Sequence, residues 1–236
     1  MIKYLKLPFH FDAQRLQEEA ARLNGADWKL HYQTLHYEGD WKAIPLRSVG
    51  GQSGDIIISP LNDAAYEDTV FLDHCDYIKE ILSFFRCPLM AVRLLKLNAG
   101  AVIKEHRDAE LNFEKGEVRI HIPVRTDEKV EFYLDKERIF LQEGECWYMN
   151  FNLPHYINNF SGIDRIHLVI DAKVNDWVKA LFAGENITIK KEIAEPDPHD
   201  AAAKKEMIQR FRAMGTETGN RLAGELEKQL GENKSS

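Results

Sequence analysis

The stretch EVRIHIPVRTDEKVEFYLDKERIF, residues 117–140, decides which class of fold this sequence can adopt. It consists of short runs rich in β-branched and aromatic residues, and the polar turn formers TDEK and DKE separate these runs. Closely spaced short strands are typical of an antiparallel sandwich or barrel, whereas parallel βαβ units need a helical segment between strands. The stretch therefore predicts a mainly β fold.

The same strand texture continues on both sides of this stretch. Similar runs are LMAVRLLKL at 89–97, ECWYMNF at 145–151 and RIHLVIDA at 165–172. Apolar residues recur instead at helical spacing in three segments, 11–24, 74–86 and 175–182. Residues 46–55, LRSVGGQSGD, are rich in turn formers and predict a loop. The sequence thus predicts a β core with flanking helices.

The C-terminal part of the chain has a different composition. A proline-bearing polar segment, AEPDPHD at 194–200, precedes residues 201–230, which are rich in good helix formers such as Ala, Glu, Lys and Leu. A length of 236 residues fits one principal domain with a small appendage. We predict a β-rich domain with N-terminal helices over 1–193 and a helical C-terminal extension over 194–236.

Composition limits the classes of function that are open to the chain. The net charge of −7 and the pI near 5.7 give no support to a nucleic-acid partner. No apolar run has the length of a signal peptide or a membrane span, so we expect no membrane association. The three cysteines show no CxxC spacing, which fits a reducing compartment. We therefore expect a cytoplasmic protein.

Three residues have the composition of a metal site: His106 and Asp108 in KEHRD, and His155 in NLPHYINN. Two histidines and one carboxylate form the facial triad that holds non-haem Fe(II) with open coordination positions. His106 and Asp108 are two residues apart, so on a strand or its extended end they project to the same side. The alternative is a chance pairing, because the chain holds nine histidines.

Basic residues recur inside two of the predicted strands. Strand alternation places Arg119 and His121 on one face of EVRIHIPV, and Arg165 on one face of RIHLVIDA. A buried cation is costly unless it is paired, so these faces would suit a cavity that accepts a dianion. An arginine can bind a carboxylate through two parallel hydrogen bonds, and Arg165 follows His155 closely enough to do so. The alternative is that these arginines pair with buried acids.

At this point the chain resembles a known family. The stretches at 94–124 and 144–172, together with LRSVGG at 46–51, resemble the aspartyl/asparaginyl β-hydroxylase family of Fe(II)/2-oxoglutarate dioxygenases. The resemblance covers about residues 25–175 and implies a double-stranded β-helix, or jelly roll, that uses Fe(II), 2-oxoglutarate and dioxygen. It implies these roles: His106, Asp108 and His155 as iron ligands, Arg165 as the co-substrate arginine, and Arg119, His121 and Ser48 beside 2-oxoglutarate.

The retained carboxylate bears on the substrate. Animal members that hydroxylate Asp or Asn in folded domains carry glycine in place of Asp108, so this chain looks more like the bacterial free-proline cis-hydroxylases of the family. That resemblance implies a small free amino acid as substrate, with L-proline as the first candidate. The alternatives are a β-hydroxylase of Asp or Asn residues in peptides or proteins, and a non-catalytic cupin-like binding protein.

Two further residues are candidates for the substrate pocket. A free amino acid brings a carboxylate that needs a cation besides Arg165, and Arg93 in VRLLKL could supply it; the alternative for Arg93 is a structural ion pair. Trp41 could form an apolar wall, although aromatic residues in strands are more often core. His31 and His36 look like surface or loop residues. The C-terminal helices suit a lid, a brace or the contact of a homodimer.

Overall fold

The computed structural model of the protein describes residues 1–23, 25–57, 64–108, 111–184, 200–213 and 217–232. In these ranges the strands are β1 (Tyr4–His10), β2 (Lys29–Leu30), β3 (Tyr37–Glu38), β4 (Trp41–Val49), β5 (Tyr66–Asp68), β6 (Leu89–Leu97), β7 (Val102–His106), β8 (Glu117–Arg125), β9 (Val130–Leu134), β10 (Glu137–Ile139), β11 (Glu145–Met149), β12 (His155–Asn159) and β13 (Arg165–Lys173). The helices are α1 (Ala13–Arg22), α2 (Asp76–Ser83), α3 (Asp176–Ala183), α4 (Asp200–Ala213) and α5 (Glu217–Glu232).

The strands of the described residues form two antiparallel sheets. The larger sheet has the order β1-β11-β8-β13-β6-β4-β2, with β5 paired to β4, and the smaller has the order β10-β9-β12-β7-β3. From β6 to β13 the chain passes repeatedly from one sheet to the other, so neighbours in a sheet are distant in sequence. This is the double-stranded β-helix, or jelly roll, and it confirms the predicted mainly β fold with flanking helices.

Alternation along the central strands of the larger sheet creates two cores. One cluster contains Ile120 of β8 together with Leu16 of α1 and Ile78 of α2, so the outer face of this sheet is covered by helices. The second cluster contains Leu97 of the larger sheet and Phe132 of the smaller sheet. The inner face therefore points between the sheets, and polar side chains on that face are enclosed by the barrel.

Two segments differ from the sequence prediction. Residues 46–49 were expected in a loop, but they extend β4, because Leu46 and Ser48 are buried and the strand pairs with β5 and β6. β1 was not predicted, since its sequence YLKLPFH contains Pro8 and two lysine or histidine side chains. The strand lies at the edge of the larger sheet, where a proline leaves no ladder hydrogen bond unmade.

Helices α4 and α5 belong to a compact unit of their own, separate from the unit that contains both sheets. They contact each other, and Phe211 of α4 and Leu226 of α5 are buried. The predicted boundary at 193/194 lies outside the described residues and stays a prediction.

No helix in the described ranges is both long and apolar enough to cross a membrane. All three cysteines are free thiols, and burial raises the pKa of Cys75 and of Cys87 to about 11.

The start of α2 is capped from another helix. Cys75, at its N-cap position, makes no side-chain cap, and Glu19 of α1 takes over this function. The buried Glu19 carboxylate accepts the backbone N–H groups of Tyr77 at 2.7 Å and Ile78 at 3.0 Å. A negative charge at a helix N-terminus also interacts favourably with the helix dipole. Glu19 therefore joins α1 to α2.

We predict that Glu19→Gln lowers the free energy of unfolding by about 1.5–3 kcal/mol, because a charged acceptor of two buried N–H groups is replaced by a neutral one with a single oxygen. Urea unfolding followed by circular dichroism measures this loss. Glu18→Gln is the matched control, since the exposed Glu18 accepts a hydrogen bond from the exposed Gln14 side chain and caps no helix among the described residues. Equal stability of the two variants would contradict the capping function of Glu19.

Candidate metal centre

Three of the predicted site residues converge at one end of the barrel. His106 ends β7 and His155 begins β12, and the two residues are direct partners across the strand pair. Asp108 follows β7, where its backbone N–H donates to Phe151 O at 2.9 Å. One potential ligand atom from each residue lies within 4.8 Å of the other two. The strands β8 to β11 occupy the long interval between Asp108 and His155, as the spacing predicted.

Backbone carbonyls orient both histidine rings. His106 Nδ1 lies 2.7 Å from Lys104 O, and His155 Nδ1 lies 3.0 Å from Leu153 O. A carbonyl oxygen only accepts, so both Nδ1 atoms carry hydrogen. Burial, together with nearby His106, lowers the pKa of His155 to about 4, so this ring is neutral at pH 7. In both residues Nε2 is therefore the ring nitrogen left to bind a metal.

The carboxylate of Asp108 completes the donor set. Burial by itself would raise the pKa of Asp108, but the combined effect of Arg119 and the nearby histidines outweighs burial and lowers that pKa far below its ordinary value. Arg119 Nη1 donates to Asp108 Oδ2, while Oδ1 lies 3.7 Å from His106 Nε2. The three residues thus present two lone pairs and one anionic oxygen to the same point, and this set fits a divalent transition metal.

A buried aspartate that sequence reasoning missed organises the arginines. Asp171 of β13 is fully buried and accepts from Arg93 Nη2 at 2.9 Å and from Arg119 Nε at 2.7 Å. The ion pairs that the sequence left as the alternative for Arg93 and Arg119 are therefore present. A signal for the face on which Asp171 lies existed, because it continues the alternation of Arg165 and His167 along β13. Its position directly opposite Arg119 is set by the register of β8 and β13, which the structure shows.

Arg165 differs from Arg93 and Arg119 in the charges that surround it. Its side chain is 3% exposed, and no carboxylate of the described residues forms an ion pair with it. Burial lowers the pKa of Arg165 to about 9, so the guanidinium is still charged at pH 7. Its Nη2 donates to His167 Nδ1 at 3.2 Å. A buried cation without a counter-ion is unfavourable, which makes this position suited to an anionic ligand.

A pair of histidines connects Arg165 to the rest of the inner face. Since His167 Nδ1 accepts from Arg165, His121 Nδ1, which lies 3.3 Å from it, must carry a hydrogen and donate. Burial and the charge of Arg165 lower the pKa values of both His121 and His167, so both rings are neutral. His121 also stacks on Phe151, with 4.9 Å between ring centroids. His121 therefore lies between Arg165 and the metal-binding end.

The other candidates lie at the sides of this arrangement. Ser48 is buried, and its Oγ donates to Gln52 O at 2.8 Å in the turn after β4. Trp41 is buried in the core between the sheets, where it stacks on His31 with 3.5 Å between centroids. Of the two settings predicted for His31, surface or loop, the structure shows a loop residue that is only 4% exposed. The segment WKLHYQ alternates apolar and polar residues and groups His31 with Lys29 and Gln33, so the sequence held no signal for this burial.

His31 and His36 both belong to the surroundings of the metal-binding end. Burial, followed by the charge of Arg93, lowers the pKa of His31 well below its ordinary value, and the charges of Asp108 and His106 also act on it. The ring of His36 lies 5.0 Å from the ring of His106. The segment from His31 to Tyr37 therefore contributes a side of the site that sequence reasoning assigned to the surface or to a loop.

Two histidines and a carboxylate in this arrangement inside a jelly roll are typical of proteins built around a non-haem metal centre. Comparison with known sequences identifies the family. The model of the aspartyl/asparaginyl beta-hydroxylase family matches residues 10–174 of this chain. The chain belongs to this family, as the sequence resemblance predicted.

Two relatives that match this chain are named as L-proline hydroxylases. L-proline cis-3-hydroxylase 2 of Streptomyces sp is 31% identical over 137 residues, which are 56% of this chain and 47% of the relative. L-proline cis-4-hydroxylase of Rhizobium meliloti (strain 1021) is 29% identical over 165 residues, 68% of this chain and 57% of the relative. The chain thus spans about half the length of the curated relatives it matches.

Among solved structures, a Pseudomonas putida prolyl-4-hydroxylase is similar with a TM-score of 0.48 and 11% identity. The similarity covers 74% of this chain and 94% of that chain.

We predict that His155→Ala abolishes the binding of Co²⁺, used as a spectroscopic probe, because the donor set falls from three residues to two. Titration followed by the visible absorption of bound Co²⁺ measures the effect. His74→Ala is the control, since His74 is exposed and lies on the α2 side of the protein. Co²⁺ binding by His155→Ala with the parental affinity and spectrum would disprove the assignment.

Proposed function

We propose that this protein is an Fe(II)- and 2-oxoglutarate-dependent dioxygenase that hydroxylates a free amino acid, with L-proline as the first candidate. The observation that carries the proposal is the convergence of three metal-ready donor atoms, from His106, Asp108 and His155, inside a jelly roll. The names of the relatives support the choice of substrate. A cytoplasmic location and a homodimer stay predictions.

The donor set fits iron. His106 and His155 would bind Fe(II) through Nε2, and Asp108 would bind it through Oδ1, the oxygen that Arg119 does not hold. Iron bound there supplies the activation of dioxygen and couples the oxidative decarboxylation of 2-oxoglutarate to hydroxylation of a C–H bond. The task of the protein is to orient both organic ligands and to exclude water.

Arg165 would bind the distal carboxylate of 2-oxoglutarate. It is a buried cation without a carboxylate partner among the described residues, and its planar guanidinium can hold a carboxylate through two parallel hydrogen bonds. Because His167 accepts from Nη2, the guanidinium has a defined orientation on β13. This contact would neutralise the charge of Arg165 and at the same time direct the other end of the co-substrate toward the metal.

We also place three other residues beside 2-oxoglutarate: Arg119, His121 and Ser48. Arg119 has five N–H donors, and its contacts with Asp108 and Asp171 leave one hydrogen on each terminal nitrogen for a ligand oxygen. His121 lies next to it on the inner face of β8. Ser48 belongs to the proposal only through the family resemblance, since its hydroxyl already donates to Gln52.

Arg93 and Trp41 would serve the amino-acid substrate. Although Arg93 Nη2 is paired with Asp171, its Nε is buried and has no hydrogen-bond partner among the described residues. A substrate α-carboxylate would satisfy that N–H, and such a contact is charge-assisted. Trp41 and His31 form a stacked pair whose flat surface suits the apolar ring of proline.

The proposal is tested by incubating the protein with Fe(II), 2-oxoglutarate and a panel of free amino acids, and by measuring succinate and hydroxylated product together. We expect L-proline or a close analogue to give the two products in equal amounts. Turnover that requires capped peptides containing Asp or Asn would favour a peptide or protein β-hydroxylase. Metal binding without succinate formation on any substrate would favour a non-catalytic cupin-like binding protein.

We predict that Arg165→Leu weakens the binding of 2-oxoglutarate by about 2–5 kcal/mol, the range for truncation of one member of a buried charge pair. Co²⁺ affinity should change little, because Arg165 makes no contact with the metal-binding residues. Isothermal titration of the Co²⁺-loaded protein measures both quantities. Arg125→Leu, an exposed arginine at the end of β8, is the control. An unchanged affinity would assign the function to another cation, such as Arg119.

A further inference from the structure

Asp171 is the most deeply buried acid of the inner face, and the proposed reaction gives it no direct function. It is 0% exposed, and both of its oxygens are occupied by arginine N–H groups. It does not contact any of the three metal-binding residues in the described contacts. Among the described contacts, Asp171 reaches these residues through Arg119, one of the two arginines that it holds.

The contacts of Arg119 define that route. One edge of the guanidinium, Nε and Nη2, donates to Asp171 Oδ1 at 2.7 Å and to Asp171 Oδ2 at 3.2 Å. The remaining nitrogen, Nη1, donates to Asp108 Oδ2. The guanidinium is planar and rigid, so a carboxylate that binds one edge determines where Nη1 points. The position of Asp108 Oδ2 is therefore linked to Asp171.

We propose that Asp171 is a positioning residue for the metal centre, and that it acts through Arg119 to keep Asp108 Oδ1 available as the metal ligand. This inference rests on the proposed metal-binding function of His106, Asp108 and His155. It assigns Asp171 a function that neither its sequence context nor the donor set itself indicates.

Asp171 also prevents a competing arrangement. An arginine and a carboxylate in a dry site prefer a bidentate pair that occupies both carboxylate oxygens. With its Nε and Nη2 edge bound to Asp171, Arg119 donates to Asp108 through Nη1 and takes one of its oxygens. Without Asp171, the same arginine could turn and take both oxygens of Asp108. The metal would then have to displace Arg119, and its affinity would fall.

A purely structural function is the other explanation. Asp171 and Asp108 together balance the charges of Arg93 and Arg119, so loss of Asp171 alone leaves a buried cation in excess. Removal of one member of a buried ion pair is strongly destabilising, and Asp171→Asn by itself could fail to fold. The experiment therefore restores the charge balance while leaving the edge of Arg119 without its two acceptor oxygens.

The main test is the double variant Asp171→Asn, Arg93→Met, with Arg93→Met as its matched control. The control keeps both oxygens of Asp171 on Arg119 but carries one buried negative charge in excess. The double variant has the charge balance of the parental protein, and its asparagine offers the edge of Arg119 a single acceptor oxygen. Competition with a chromophoric chelator measures the Co²⁺ dissociation constant, and thermal unfolding without metal measures Tm. We expect the double variant to bind Co²⁺ about 10–100-fold more weakly than the parental protein, at a Tm similar to that of the control, as for other groups that orient a metal ligand.

A second variant decides the question if the double variant does not fold. Arg119→Lys keeps the charge, but an ammonium group cannot bind an edge of Asp171 and direct a separate nitrogen to Asp108. We expect weaker Co²⁺ binding here as well. Co²⁺ affinity within about threefold of that of the parental protein, in either folded variant, would overturn the inference. Parental protein that does not bind Co²⁺, or a His155→Ala variant that still binds it, would instead contradict the proposed function.

Discussion

Burial of charge inside the barrel is the constraint on which the rest of the site depends. Four side chains, Arg93, Arg119, Asp108 and Asp171, carry opposite charges in a water-poor interior and are tolerated because they pair with one another. That pairing leaves Arg165 as a buried cation without an acidic partner among the described residues. The distribution of partners thus separates a charge-balanced region beside the candidate metal ligands from a region that suits an anion.

Much of this arrangement follows from patterns in the sequence. Alternation along RIHLVIDA and EVRIHIPV correctly placed Arg165, Arg119 and His121 on the inner face, because a strand inside a closed sheet must separate its two faces. The spacing of His106 and Asp108, with a distant His155, indicated one cluster of potential metal ligands, and the structure brings the three residues together. These features are local or periodic, so a single sequence shows them.

What the sequence did not reveal depends on contacts between distant strands. The pairing of Arg119 with Asp171 follows from the register of β8 and β13, and no residue pattern within either strand states that register. The sequence did not indicate that His31, expected as a surface or loop residue, is buried, because its burial depends on stacking against Trp41 across the β2–β4 pairing. Edge strand β1 was missed because Pro8 weakens the strand signal at the one place where a sheet tolerates it.

The direct pairing of His106 with His155 across β7 and β12 has a consequence for motion. An ion bound to both histidines would connect two neighbouring strands of the smaller sheet at one end, in the manner of a clasp. Separation of these strands would then require loss of the ion as well as of the backbone ladder. Amide hydrogens of β7 and β12 would exchange with solvent more slowly in the metal-loaded protein, while those of β1, at the far edge of the other sheet, would keep their rates.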